Sequence, residues 1–335
     1  NLEAARAAAF NTLSPRFFYG WVILAVAGLA IFSSGPGQSH TFSVFVGPIA
    51  QDLGLSKWAI SVAYGLATFA AAFALPQMGK LVDKHGPRQM TLWVVTLLGL
   101  GCLLFGAVIG PISLALTFGM LRFLGQGSLM LNCANLVAQW FSRKRGFAMS
   151  LMALGFALSM AIHPPLGQYL VGQMGWRWAW VVLGLLTWLI MLPPVLLLIH
   201  DKPESLELRP DGDAALAEGE PVAAIDGLTL AESRREPAFY ILCLGWFFIS
   251  MLITGLHFYQ IEIFEGQGVD ATIAARVFPV SAVAMVLTMP MVGKLLDSVK
   301  TRYVFAASML VLSVSLVGVT LVGDLVSALA YAVVF

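Results

Sequence analysis

GKLVDKHGPR, Gly79 to Arg88, returns later in the chain as GKLLDSVKTR at residues 293–302. Gly, Lys, Leu, Asp and the closing Arg recur in register at a constant offset of 214 residues, and Pro76 and Pro290 stand at the same offset. One ungapped alignment runs from Gly54–Arg88 onto Gly268–Arg302. Solenoid repeats have periods of about 20–50 residues. A period this long, with apolar stretches on both sides of each copy, points instead to duplication of a whole membrane half.

Composition agrees. The 335 residues are 59% hydrophobic and only 11% charged, with a mean hydropathy of +0.85, so the chain has too little polar surface to be solvated by water and must be solvated by lipid. A formal net charge of +1 argues against nucleic acid as a partner, because phosphate binding needs clustered Lys and Arg. Cys102, Cys133 and Cys243 each lie in an apolar run; they read as buried thiols, with no disulfide framework and no metal-ligand spacing. Neither a metal nor a cofactor is expected.

A bilayer core about 30 Å thick needs about 20 apolar residues in a helix. Nine such windows can be marked: 19–50 (overlong and interrupted), 58–79, 90–109, 112–140, 147–171, 176–199, 238–264, 271–293 and 303–322, with a tenth beginning near Leu325. The organisation expected is a lead at 1–16, a six-helix bundle at 17–199, an acidic linker at 200–236 and the start of a second bundle at 237–335. To match the first half the second would need roughly 80 further residues, so the sequence reads as a truncated chain. Fifteen loop Lys and Arg fall on the decapeptide side against Lys57, Arg177 and Arg276 on the other, which makes the lead and the linker cytoplasmic. The linker holds ten of the eighteen acids and three prolines and reads as a mostly disordered, solvated tether.

Arg122 lies about ten residues into the fourth window, too deep to reach the interface easily. A charge there costs at least a few kcal/mol unless it faces a wet cavity or a partner, so it is expected to face inward as an anion-binding or coupling group. Gln126 shares its face at i+4, and Ser128, Asn132, Asn135 and Gln139 form a second polar stripe, either lining the substrate path or joining helices. Gly35, Pro36 and Gly37 break the first window, and Ser34, Gln38 and Thr41 make a hydrogen-bonding strip beside the break, a geometry tolerated only along a cavity or inside protein. His163 and His257 stand at similar depth in the two halves and are candidates to bind an anion or carry a proton, or are neutral core histidines. Glu262 and Glu265 are expected to meet solvent, and Trp176, Trp178 and Trp180 to form an interfacial belt. In the decapeptides, Asp83 and Asp297 follow Gly79 and Gly293 and are expected to act as latches, each carboxylate facing the positive start of a neighbouring helix. For Asp297 this start lies near residues 143–146; the helix opposite Asp83 would lie beyond the sequence. Alternatively, each carboxylate merely ends a span.

GKLVDKHGPR resembles the loop signature of the major facilitator superfamily, G-x-L-x-D-x-x-G-x-[KR], in which Gly79, Asp83 and Arg88, and in the second copy Gly293, Asp297 and Arg302, occupy the signature positions. RFLGQG at 122–127, FSRKRGFAMS at 141–150, GFALSMAIHPPLGQYL at 155–170 and GWRWAW at 175–180 resemble further signatures in the same order. FYGW at 18–21 and TGLHFYQ at 254–260 are similar to a bacterial branch related to monocarboxylate and oxalate/formate transporters. The resemblance implies an all-α integral membrane protein of two pseudo-symmetric six-helix bundles, in a bacterial inner membrane. It implies a secondary active transporter, with a monomer as the expected working unit. In animal monocarboxylate carriers an Asp and an Arg precede a proline of the eighth helix; this chain has Met285 and Met289 before Pro290, and Arg276 nearer the span's outer end.

The leading functional expectation is therefore alternating-access transport of a small organic anion, with protons as a candidate coupling ion. The other reading of the same fold is an efflux carrier for amphipathic drugs. An enzyme is not expected: there is no HExxH, no GxSxG and no acidic pair at membrane depth.

Overall fold

The computed structural model describes residues 2–14, 17–212 and 230–335, and these are helical with no strand among them. An all-helical build is what lipid imposes, because a helix satisfies its backbone hydrogen bonds internally where no water can. Helix α1 (Leu2–Leu13) precedes a first span assembled from pieces: α2 (Gly20–Ser33), a 3-10 turn at Gly35–Gly37, α3 (Ser39–Phe42), a second turn at Ser43–Phe45, and α4 (Val46–Leu53). The predicted break at Gly-Pro-Gly is thus where the helix stops. Next come α5 (Lys57–His85), α6 (Pro87–Gly106) and a fourth span built from α7 (Pro111–Leu121), a π-helical stretch Arg122–Ser128 and α8 (Leu129–Trp140). Helix α9 (Arg145–Leu197) is 53 residues long and holds two spans, divided by Gly175 at φ 76°, ψ 164°. After the short α10 (Leu230–Ser233) follow α11 (Pro237–Gly266), α12 (Ala271–Ser298), α13 (Thr301–Val319) and α14 (Leu325–Val334). Among the described residues seven helices, α9 counted once, are long and apolar enough to cross a bilayer; α2 and α14 are shorter apolar helices.

The repeat is structural as well as textual. Helices α5, α6 and α7 begin at Lys57, Pro87 and Pro111, and α12, α13 and α14 begin at Ala271, Thr301 and Leu325, each pair separated by the offset of 214 found in the sequence. The caps follow suit. Ser56 Oγ accepts from Ala59 N and Asp270 Oδ1 from Thr272 N, while Gly54 and Gly268 both take positive φ just before them. Such caps satisfy backbone N–H groups that a helix start leaves unpaired.

The first half packs around a cluster of aromatic rings. Phe105 and Trp180 lie 4.3 Å apart, and Phe42 meets Phe118 at 5.0 Å. Trp180 and Trp176 are therefore buried rather than interfacial; within GWRWAW only Trp178 faces outward. Arg177 holds this end by an ion pair to Asp52 at 2.9 Å and by stacking over Trp176. Cys102 and Cys133 are buried as expected, whereas Cys243 is exposed on α11.

The linker departs from a solvated tether over its first twelve residues. Asp201 Oδ1 accepts from Arg88 N at 2.7 Å, capping α6. Asp211 folds back onto the turn that leads into α9, accepting from Ser142 N at 3.0 Å, Arg143 N at 2.7 Å and Lys144 N at 3.2 Å. Residues 213–229 lie outside the described residues.

Candidate functional site

A cavity of about 670 Å³ lies between α5, the π-helical stretch and α11, and so between the two halves. Its polar lining includes Arg122, Tyr64, Thr68 and Gln126 from the first half and Ser250 and Thr254 from α11; phenylalanines supply much of the rest. One helical stretch in π geometry, which occurs often at functional sites, carries both Arg122 and Gln126.

Arg122 is only 4% exposed. Nη1 donates to Gly37 O at 3.0 Å and Nε to Thr68 Oγ1 at 3.2 Å, and the guanidinium carbon sits 5.1 Å from the centroid of the Tyr64 ring. The guanidinium is tied into the break of the first span at one side and into α5 at the other. Among the described residues no carboxylate lies within ion-pair distance of it. The Tyr64 hydroxyl beside it is buried close to both Arg122 and Ser39, with no well-aligned hydrogen bond to either. A fixed cation held only by neutral acceptors, with a hydroxyl beside it, therefore stands at the cavity wall without a counter-ion among the described residues.

Glycine makes this approach possible. A Cβ on Gly37 would lie 2.4 Å from Leu121 O, and one on Gly125 would lie 2.8 Å from Gly37 Cα. The first span's break and the π stretch touch backbone to backbone, which brings Gly37 O within reach of Arg122.

The other sequence candidates fall behind this surface or beside it. Ser34 Oγ donates to Ile31 O, Gln38 Nε2 donates to Ser34 Oγ at 3.0 Å, and Thr41 Oγ1 is buried without a partner; none of the three lines the cavity. Asn132 is fully buried with both amide atoms unpartnered, also away from the cavity. His163 Nδ1 lies 3.1 Å from Ser159 O, and His257 Nδ1 lies 3.0 Å from Ile253 O; both rings are buried behind the lining. Arg276 is exposed and, with Met285 and Met289, lies outside the cavity wall.

At the end of the cavity away from the decapeptides the halves meet. Lys57 of α5 pairs with Glu262 of α11, Tyr259 OH donates to Ser61 Oγ, and Ile261 N donates to Ser43 Oγ at 3.1 Å. Tyr64 stacks on Phe258 at 4.1 Å. The Glu262 side chain is 9% exposed, so this acid joins the halves instead of meeting solvent; Glu265 does face outward. Toward the decapeptide end Phe73 and Phe247 remain exposed on opposing walls. All the described buried residues of α11 fall within Leu256–Phe264.

The decapeptides themselves show turn chemistry. Gly86, at φ 82°, allows the tight passage from α5 to α6, and the Asp201 carboxylate sits where its Cβ would be. The Asp83 carboxylate is exposed with no partner among the described residues, so it faces no helix start here. The start of α9 near Arg143–Gly146, expected to receive Asp297, is occupied by Asp211. The side chain of Asp297 lies outside what the structure describes. Arg302 donates to Tyr303 OH at 3.0 Å. Nearby, Arg6 of α1 is buried, donating to Ile199 O at 3.1 Å and lying 3.3 Å from His200 Nδ1. Burial, followed by the adjacent Arg6 and Arg88, lowers the His200 imidazole from its ordinary value to about 4.

Comparison with known proteins places this architecture. The chain is 30% identical over 195 residues to an Escherichia coli protein named Probable L-galactonate transporter, covering 56% of this chain and 41% of that one. It is 28% identical over 159 residues to the oxalate:formate antiporter of Oxalobacter formigenes, covering 46% and 35%. It is 26% identical over 271 residues to mouse monocarboxylate transporter 11, covering 79% and 56%. The chain thus spans about half the length of these relatives or less. A crystal structure of a bacterial homologue of the human lysosomal transporter Spinster, inward-facing and unoccupied, shares the fold with a TM-score of 0.67 at 17% identity over 95% of this chain and 72% of the other. The profile of the Major Facilitator Superfamily matches residues 18–335: the chain belongs to that superfamily of multi-pass membrane transporters.

Proposed function

We propose that the protein moves a small organic anion of the monocarboxylate type by alternating access, with Arg122 as the group that holds the carboxylate. The observation that carries this reading is the buried guanidinium with no carboxylate partner among the described residues. An isolated buried ion is costly, and an anionic substrate would offset that cost only while bound. Arg122 Nη2 and the Tyr64 hydroxyl supply donors, Thr68, Gln126 and Thr254 line the same wall, and the relatives named for oxalate, formate and monocarboxylates are consistent with such a cargo. The strip of Ser34, Gln38 and Thr41 would then support the broken first span behind Arg122, with Asn132, His163 and His257 in an outer layer.

The halves meet at the Lys57–Glu262 end and part toward the decapeptides, so this arrangement corresponds to one of the two access states. In the other, those contacts would break and the decapeptide end would close, bringing Asp83, Arg88, Asp297 and Arg302 into use as a latch. The bias of Lys and Arg makes the decapeptide end cytoplasmic, and a monomer in a bacterial inner membrane is the proposed working unit. Drug efflux is the second reading, favoured by Phe69, Phe73, Phe247 and Phe258 in the lining; the uncompensated guanidinium disfavours a cationic cargo.

Reconstituting the full-length protein in proteoliposomes and measuring uptake of labelled lactate, formate and oxalate, with and without a pH gradient, tests the proposal. Saturable uptake of one of these, competed by unlabelled anion, is expected. Binding of a cationic dye with no uptake of any carboxylate would establish the efflux reading in its place.

A further inference from the structure

A third histidine, His40, stands between the two that the sequence singles out. It is fully buried on α3, in the broken first span. His40 Nε2 lies 3.2 Å from Ser159 Oγ, and Ser159 Oγ lies 3.1 Å from His163 Nδ1, so the two rings are joined through one hydroxyl. Across the interface the ring of His257 has its centroid 6.3 Å from that of His40, with Phe278 flanking both. Three spans, the first and fifth of one half and the seventh of the other, thus meet in imidazoles.

The hydrogen bonds restrict where protons sit. A carbonyl only accepts, so His163 Nδ1 and His257 Nδ1, each facing the carbonyl four residues back, carry the hydrogen, and their Nε2 atoms keep a lone pair. His40 Nδ1 is buried with no hydrogen-bond partner among the described residues. Nε2 of His163 and of His257 thus each keep a lone pair to which no group among the described residues is bonded.

We infer that His40, His163 and His257 form the proton-carrying site of the transporter, loaded and unloaded as the halves separate and close, and linked through charge to the anion cavity. The link to the cavity rests on the proposed anion role of Arg122; the proton site does not. The surrounding charges are few. The π stretch contributes Arg122, and α5 contributes Tyr64. Helix α9 has no charged residue between Arg145 and Arg177. Helix α11 offers Glu262, which pairs with Lys57, and the exposed Glu265; α12 offers the exposed Arg276, and α14 only Tyr331. A proton on the cluster is thus a second positive charge near Arg122, with no acid among the described residues to balance it. In the closed interface this charge favours separation of His40 from His257 and entry of water. An anion beside Arg122 balances it, so proton and anion each strengthen the other's binding, by the reciprocity any such linkage must obey. Neutral rings packed across the interface, as here, represent the unloaded site, and the proton leaves to water at the face then open.

The test uses full-length protein in which Cys243 is replaced by serine and spin labels are placed through W58C on α5 and E265C on α11, two exposed positions at the end where the halves meet. The distance distribution is followed from pH 5 to 9 with no ligand added. A population with widened separation is expected to grow at low pH, with a midpoint within about a unit of the ordinary imidazole range. H40Q is expected to abolish that titration, while H85Q and H200Q, at the decapeptide end, leave it unchanged. If H40Q does not fold, H257Q carries the same expectation. In parallel, calorimetry with lactate, formate and oxalate in two buffers of different ionisation enthalpy counts protons taken up on binding; wild type should take up close to one and H40Q none. A pH-independent distance in wild type, or a midpoint unmoved in H40Q, H163Q and H257Q alike, overturns the inference. If none of the three anions binds while the histidine-dependent titration is present, the proton site stands and the anion reading fails.

Discussion

Replacing Arg122 by methionine separates a binding cation from a structural one, because the two roles predict opposite effects on stability. Arg122→Met deletes two hydrogen bonds from a charged donor, to Gly37 O and Thr68 Oγ1, worth about 1.5–3 kcal/mol each. It also removes a buried ion with no counter-ion, whose desolvation costs several kcal/mol. The terms nearly cancel, so the unliganded variant should unfold within about 2 kcal/mol of wild type, or above it. Binding should respond differently. Truncating one partner of a desolvated charge pair costs about 2–5 kcal/mol, which is a loss of about 30- to 4,000-fold in affinity. Thermal unfolding of detergent-solubilised protein reads both, since a ligand that binds only the folded state raises the midpoint in proportion to the logarithm of its concentration over Kd. Wild type should shift upward with its carboxylate and Arg122→Met should not shift at the same concentration. A variant destabilised by more than about 3 kcal/mol that still responds to the anion would refute the assignment and make Arg122 a strut.

Three further expectations follow from particular contacts. Gly125→Ala drives a Cβ to within 2.8 Å of Gly37 Cα; backbone cannot yield as a flexible side chain does, and the overpacking should cost about 1–3 kcal/mol and weaken anion binding by displacing the carbonyl that holds Arg122. A thermal melt together with a binding isotherm checks both. Asp211→Ala removes the acceptor of three backbone N–H groups in the turn leading into α9 and should lower stability by about 1–3 kcal/mol, while Asp211→Asn, which keeps an acceptor oxygen, should lose less. His200 is neutral in the folded protein down to about pH 4 but takes up a proton near 6.5 when unfolded. The unfolded state therefore binds more protons between these values, and the stability His200 contributes is present above pH 6.5 and declines as pH falls toward 4. Melts of wild type and His200→Gln across that window should converge on acidification; parallel curves would count against it.

Much of the architecture was legible because it is written in periodic or repeated features. The offset of 214 read from the decapeptides holds in the structure for the helix starts at Lys57 and Ala271, Pro87 and Thr301, and Pro111 and Leu325 as well. Gly35-Pro36-Gly37 announced the broken first span, and the depth of Arg122 announced an inward-facing charge. Features that depend on contacts distant in sequence were not visible. Asp201 and Asp211 look like solvated linker acids, and nothing local says that each folds onto a helix start over 60 residues or more away. Glu262 looks like a span-end acid until its distance from Lys57 is known. The tryptophans near residue 176 have interfacial composition, but Trp180 points into the ring cluster of Phe42 and Phe105. His40 could have been suspected from the same reasoning applied to His163 and His257, a histidine at membrane depth. It was hidden by the interruption of its span, which removes the helical register that would relate it to Ser34 and Gln38.

The central claim is that a fixed, unpaired positive charge between the two halves selects the cargo. Affinity of the wild-type full-length protein for a carboxylate and for its uncharged amide isostere, lactate against lactamide, oxalate against oxamide and formate against formamide, measures that claim most directly. A preference for the anion of at least about 30-fold in one of these pairs, corresponding to about 2 kcal/mol from the charge alone, is predicted. Equal affinity for acid and amide in every pair that binds would contradict it.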